Sequence, residues 1–517
     1  MLRAASLAAV SLLATVVVAC GGGAAAGEAD PARAVPADAW MYVEATVRPD
    51  GKRKDDALDA AGKVLATDDP EGKLRELLDK ALADGGGTDL DYDRDIKPWL
   101  GDRVGVWVGN RLDAEGDPGA AAVIAVTDPD AAVDAFHKAA RQAGDRLTKR
   151  SYNGVDYEVD QDGSAVATVG DFLLAGTEPE VKQSIDAQKG DSLAESDRYR
   201  GGVDKLDDER LAHFYMDLRR LFELLGQQEP NNEEMQQFRA LVPFEKLPPV
   251  FGSFSADADR LSLDMAATSK GLGNLGALGT WGGGATPLMQ ELPGDSWAAF
   301  GSAKYGQSLK AAFDTYAGAF GGAAIKQQLR NQYGIDIDDD LLSWIGDIAA
   351  FVRGDTIDTL DGGLVIQVID DAKAEKGFAK LVGLLQSGGG ADVNPVTIPG
   401  AKNAFAVRDT SVPKPIILAR SDERVVVSYG VDAAKAALNP DGKLGDADIY
   451  HQAEDKLGMD PAFVMSMPTV LSLVDASGQA DADFQQVRPY LQPYDVIAYG
   501  AEAQGDGGRF RLVAGLK

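Results

Sequence analysis

The sequence predicts an α+β fold in tandem duplicate: two related halves, each with a mixed or antiparallel sheet and helices packed on one face. Three observations carry this. Short strand-like runs are joined by tight turns, as at Asn153-Gly154, while helical runs sit between other strands. That pattern lacks the strict alternation of a doubly wound parallel sheet. The stretch Asp91-Tyr92-Asp93-Arg94-Asp95-Ile96-Lys97-Pro98-Trp99-Leu100-Gly101-Asp102 returns as Asp336-Ile337-Asp338-Asp339-Asp340-Leu341-Leu342-Ser343-Trp344-Ile345-Gly346-Asp347, with Trp99 and Trp344 standing 245 residues apart. Other landmarks return in the same order: Trp40 and Trp297 at an offset of 257, Phe136 and Phe378 at 242, Met216 and Met465 at 249. Collinear recurrences of this kind rarely arise by chance.

Ahead of the first half, Arg3 and the apolar residues 4–19 lead into Val17-Val18-Ala19-Cys20-Gly21, the pattern of an export signal. The apolar run is shorter than the roughly 20 residues that span a bilayer. A small residue before a cysteine reads as a lipobox, so residues 1–20 form a lipoprotein signal peptide and Cys20 is the lipidation site. Cys20 is the one cysteine of the chain, which removes disulfides and, once acylated, any thiol nucleophile. Residues 21–34, rich in Ala and Gly, form a flexible tether. The expected address is extracytoplasmic, with the membrane as partner through the N-terminal lipid.

The first copy spans residues 35–269. A strand opens at Trp40, and Leu74, Leu77, Leu78 and Leu82 at i, i+3, i+4 and i+8 predict a helix. The recurring Asp-rich stretch and a strand over 104–108 follow. After a strand over 123–126, Thr127-Asp128-Pro129 starts a helix with Pro in its first turn. Short strands are expected over 152–159 and 165–175, and a final pair over 250–255 and 260–266. Residues 270–291 read as a Gly-rich linker or loop, unusually apolar at Leu272, Leu275, Leu278 and Trp281. The second copy, 292–517, closes with a strand pair over 496–503 and 509–513.

The chain of 517 residues carries 51 Lys+Arg against 81 Asp+Glu, a net charge of −30. Such a surface repels phosphate backbones, so nucleic acid is excluded as a partner. A hydrophobic content of 45% at this length supplies more than one core.

Asp91, Asp93, Asp95 and Asp102 fall at positions 1, 3, 5 and 12 of a calcium loop, and Asp336, Asp338, Asp340 and Asp347 repeat this. Ile96 and Leu341 stand where the EF-hand turn requires Gly, and Asp replaces the longer Glu at position 12. A capped helix accounts for more of the residues: an Asp caps its start, acidic groups meet the positive end of the dipole, and Trp99 and Leu100 face a core. On that reading Gly101 ends the helix, Gly346 does the same in the second copy, and no metal is expected; Trp99, Gly101, Trp344 and Gly346 are a structural signature. Gly271-Leu272-Gly273-Asn274-Leu275-Gly276 fits the dinucleotide pattern but lacks the strand before it and the helix after it. No cofactor is expected.

The histidines are His137, His213 and His451. At the recurring offsets, His137 stands opposite Ala379 and His213 opposite Ala462, so the shared architecture requires neither. H-E-x-x-H, C-x-x-C and G-x-S-x-G are all absent. No catalytic residues are assigned.

The lipobox, Pro36-Ala37-Asp38-Ala39-Trp40 and the Asp-rich approaches to Trp99-Leu100-Gly101 and Trp344-Ile345-Gly346 resemble the actinobacterial family catalogued as domain of unknown function 3352. The resemblance implies an envelope lipoprotein with no established activity and supplies no catalytic residues. The expected function is a non-enzymatic binding or interaction module anchored by lipid, its partner an envelope protein or ligand. Two alternatives stay open: a carrier of an apolar envelope molecule in a pocket between the halves, and a carboxylate-dependent hydrolase.

Overall fold

The structure, a computed structural model, describes residues 29–86, 90–112, 116, 118–207, 209–228, 244–268, 284–319, 322–387, 392–408, 412–478, 481–504 and 507–517. Cys20 and residues 270–283, including Leu272 to Trp281, lie outside the described residues. The chain divides into two compact units with the boundary after Ala267.

In the first unit the strands are β1 (Met41–Thr46), β2 (Leu100–Leu112), β3 (Pro118–Val126), β4 (Thr148–Tyr152), β5 (Val155–Val159), β6 (Ser164–Val169), β7 (Phe172–Thr177), β8 (Ala212–Met216), β9 (Val250–Asp257) and β10 (Arg260–Thr268). Their order across the sheet is β4-β5-β6-β7-β3-β2-β1-β8-β9-β10, and every one of these pairings is antiparallel. The turn expected at Asn153-Gly154 is present, whereas the single strand expected over 165–175 is a hairpin. Asn153 and Gly154, at φ +50° and +77°, turn β4 into β5, and Gly170 at +57° turns β6 into β7.

The second unit contains β11 (Ser296–Ser302), β12 (Ile345–Arg353), β13 (Asp361–Val368), β14 (Asp392–Pro395), β15 (Asn403–Arg408), β16 (Ile416–Arg420), β17 (Arg424–Tyr429), β18 (Pro461–Ser466), β19 (Tyr494–Gln504) and β20 (Gly507–Leu516). They follow the order β14-β15-β16-β17-β13-β12-β11-β18-β19-β20, again antiparallel throughout.

Helices cover both faces of each sheet, where one covered face was expected. In β7, Phe172, Leu173 and Leu174 are all buried. Leu174 packs with Trp107, Val181 and Ile185, the last two on helix Glu178–Ala187. Leu173 faces the other way, into a cluster with Leu74, Leu78, Trp99 and Ala132. The second unit likewise has one cluster around Phe351, Ala433 and Leu457 and another around Trp344, Phe378 and Val425. A strand buried on both sides reads as a continuous apolar run, which is why 165–175 shows no alternation.

Packing begins earlier than expected in each unit. Pro31–Ala34 is a 3-10 turn capped by Asp30, with Pro31, Ala32 and Ala34 buried, so these residues belong to the first unit's core and only the earlier part of 21–34 remains for a tether. Pro287–Gln290 is helical, and its Leu288 and Met289 enter the second unit's core.

Candidate functional site

The recurring Asp-rich stretches form local caps. Asp91 accepts from the Arg94 amide at 2.8 Å ahead of a π-turn over Tyr92–Ile96. Asp95 accepts from the Asp91 amide at 2.9 Å and from Lys138 Nζ at 2.7 Å, while its own carbonyl takes the Trp99 indole N–H at 2.6 Å. The Arg94 guanidinium, with Lys138, holds the Asp95 carboxyl well below the usual range. The second stretch repeats this: Asp336 caps Ile337–Leu342, Asp340 accepts from the Asp336 amide and from Lys380, and the Trp344 indole donates to the Asp340 carbonyl at 2.9 Å.

Three of the other acids of the calcium pattern are spent similarly. Asp93 pairs with Lys97 and Arg75, Asp338 with Lys326, and Asp347 accepts from the Lys304 amide. Asp102 stands in β2, where its carbonyl takes the Val47 amide. Two expectations fail here. Gly101 and Gly346 end no helix; they lie inside β2 and β12. Glycine is needed at 101 because a Cβ would stand 2.7 Å from the Ala125 carbonyl oxygen; at 346 a Cβ would meet side-chain atoms, Gln367 Oε1 and Ile369 Cγ2, each at 2.7 Å.

His137 pairs with Glu158, and His451 lies 3.6 Å from Glu454 on the surface. His213 is the buried one, 4% exposed, in a polar network that the sequence reading missed. It stands on β8 opposite Glu44 of β1, with Tyr42 opposite Tyr215 two residues away. The Tyr199 hydroxyl lies 2.7 Å from His213 Nε2, the Tyr42 hydroxyl donates to Glu44 at 2.5 Å, and Arg103 reaches the same carboxylate at 3.4 Å. Burial pushes the His213 imidazole down to about 3 and, with the charge of Glu44, raises the Tyr42 and Tyr199 phenols. A neutral ring and a protonated tyrosine therefore share this hydrogen bond. Edge-to-face contacts of Tyr199 with Tyr42 and Tyr215 close the network. With its groups bonded to one another under cover, it is a scaffold.

A concavity of about 350 Å³ in the first unit differs in this respect. It is lined by Arg111, Tyr152, Glu178, Pro179, Lys182, Gln183 and Asp186. Its carboxylates are committed: Glu178 accepts from Arg150, Lys182 and Tyr157, and Asp186 from Tyr152 and Asn153. Against the cost of burial, those bonds hold Glu178 down to about 2. Lys182 Nζ is also placed 5.6 and 5.5 Å from the ring centres of Tyr152 and Tyr157. Two donors are left over. Gln183 Nε2 is buried without an acceptor, and the exposed Arg111 has no carboxylate at ion-pair distance among the described residues. A ligand entering here meets donors that need an acceptor. Arg111 and Gln183 are 72 residues apart in sequence, and only the packing of helix Glu178–Ala187 beside the sheet unites them.

The family described as "Protein of unknown function (DUF3352)" matches residues 2–405. No curated protein matches the chain. Among solved structures, crystal form IV of TP0453 is similar at 11% identity and a TM-score of 0.26, covering 46% of this chain and 80% of that one. Crystal form I of TP0453 is similar at 10% identity and a TM-score of 0.25, covering 48% and 81%. Scores this low carry no argument about fold or function. Among the described residues, no helix is long and apolar enough to cross a membrane.

Proposed function

The chain belongs to the DUF3352 family of unknown function, and from that premise we propose that it is a non-enzymatic, lipid-anchored binding protein of the cell envelope, built by internal duplication. Its ligand is a small molecule with a carboxylate, taken by Arg111 and Gln183. The observation that carries the binding reading is the buried Gln183 Nε2 without an acceptor beside Arg111, which no carboxylate pairs among the described residues, in a concavity whose carboxylates are already engaged. An unsatisfied buried donor costs about 1–3 kcal/mol, which a ligand acceptor would recover, and Arg suits a carboxylate in two-point contact.

The strand registers support the duplication. Met41 of β1 pairs with Met216 of β8, and Ala298 of β11 pairs with Met465 of β18. This sets 41 against 298 and 216 against 465, at the offsets of 257 and 249 that the repeated landmarks have in the sequence. The concavity belongs to the first copy. The corresponding step of the second sheet, where Ala299 faces Val464 in place of Tyr42 and Tyr215, also lacks the polar network.

The test is calorimetric titration of the soluble body with small mono- and dicarboxylates. Saturable binding is expected, weakened at least tenfold in Arg111→Gln and in Gln183→Leu. Binding that both variants retain, or no binding by any carboxylate, would remove the reading.

A further inference from the structure

We propose that Asp145, Asp160 and Asp162 of the first unit form a calcium site. Carboxylate oxygens of these three residues lie within 4.8 Å of one another. Oxygens bound to one calcium at 2.3–2.6 Å can stand up to about 5 Å apart, so one calcium can take all three, and it tolerates an irregular oxygen set that the near-ideal octahedron of magnesium does not.

A second observation comes from the one of the three that is buried. Asp160 is 6% exposed, directly after β5. Its Oδ1 accepts from the amides of Asp162 and Ser164 at 2.8 and 2.9 Å, but its Oδ2 is buried with no donor. Three other buried carboxylates have a cation beside them: Arg103 at 3.4 Å for Glu44, Arg198 at 3.1 Å for Asp217, Arg353 at 2.6 Å for Asp361. Among the described residues, no Lys, Arg or His pairs with Asp145, Asp160 or Asp162. A buried carboxylate with an unpartnered oxygen, beside two further carboxylates, is costly without a positive charge, and a divalent cation would supply that charge.

The chain delivers these groups by separate routes. Gly144 in the left-handed region, at φ +79°, ends helix Pro129–Ala143 and turns Asp145 toward the β5–β6 turn. Gln161 ties the two segments, donating to Asp145 at 2.9 Å and accepting from the Arg146 amide at 3.0 Å. Three protein carboxylates leave the remaining positions to water, as in a low-affinity extracellular site. The inference is independent of the carboxylate-binding reading, since the two share no residue.

The experiment is calorimetric titration of the chelator-treated soluble body with calcium chloride and with magnesium chloride in 0.1 M KCl. One calcium site is expected with a Kd on the order of 0.1–1 mM, and magnesium at least tenfold weaker. Asp162→Ala and Asp145→Ala, at positions not fully buried, should each weaken calcium at least tenfold, while Asp93→Ala leaves it unchanged. Circular dichroism confirms that the variants fold. Absence of calcium binding, equal affinity for magnesium, or unchanged affinity in both Asp145→Ala and Asp162→Ala would overturn the proposal.

Discussion

His213 shows how a titratable group can be made inert. Its ring shares a hydrogen bond with Tyr199 under full cover, and burial lowers it from 6.5 to about 3. In the unfolded chain the same imidazole takes a proton near pH 6.5. Between pH 6.5 and about 3 the unfolded state binds the extra proton, so this contribution to stability is complete above pH 6.5 and is lost as pH falls toward 3. The loss is of the order of a few kcal/mol. His213→Gln removes the titration while keeping a group that can hydrogen-bond Tyr199. Urea unfolding midpoints measured from pH 7 to pH 4 should fall less steeply in this variant than in the natural protein. Parallel profiles would mean that His213 is not the group responsible.

At the scale of elements, the two Asp-led π-turns are the most standardised parts of the molecule. In each, one Asp caps the turn and a second, four residues on, locks that cap to a lysine of the helix after the third strand, Lys138 or Lys380. Asp95→Ala and Asp340→Ala should each cost about 1–2 kcal/mol, as loss of a cap-type bond together with a part-buried ion pair. Lys138→Met should cost less, because the amide bond to Asp95 survives it. Equilibrium denaturation decides, and a change below about 0.3 kcal/mol in both Asp variants would reduce these bonds to ornament. This element was legible in sequence because its bonds run between near neighbours, so spacing alone specified the cap at Asp91 and the buried Trp99. Gly101 misled because a helix stop and a crowded strand position both ask for glycine, and only the approach of Ala125 tells them apart. The hairpin at Gly170 was hidden by the apolar residues on either side of it. Neither the meeting of Arg111 with Gln183 nor that of Asp145 with Asp160 had a sequence signal, since each depends on how distant elements pack.

At the scale of the whole molecule, the buried clusters of each unit are drawn from that unit alone. Each unit supplies its own stability in this way. No described helix is long and apolar enough to cross a bilayer, and the net charge of −30 opposes adsorption to anionic headgroups. On the proposed function, attachment is by a lipid on Cys20, where each buried methylene contributes about 0.8 kcal/mol and more than one acyl chain is needed for a stable anchor. Such a bond is hydrophobic, so high salt should not break it, whereas an electrostatic attachment would be released. The natural protein should stay with membranes through a 1 M salt wash and take up labelled fatty acid. Cys20→Ala should do neither, yet still reach the outside of the cell as a folded, soluble body. Membrane retention by Cys20→Ala equal to that of the natural protein would show that some other part of the chain holds it there.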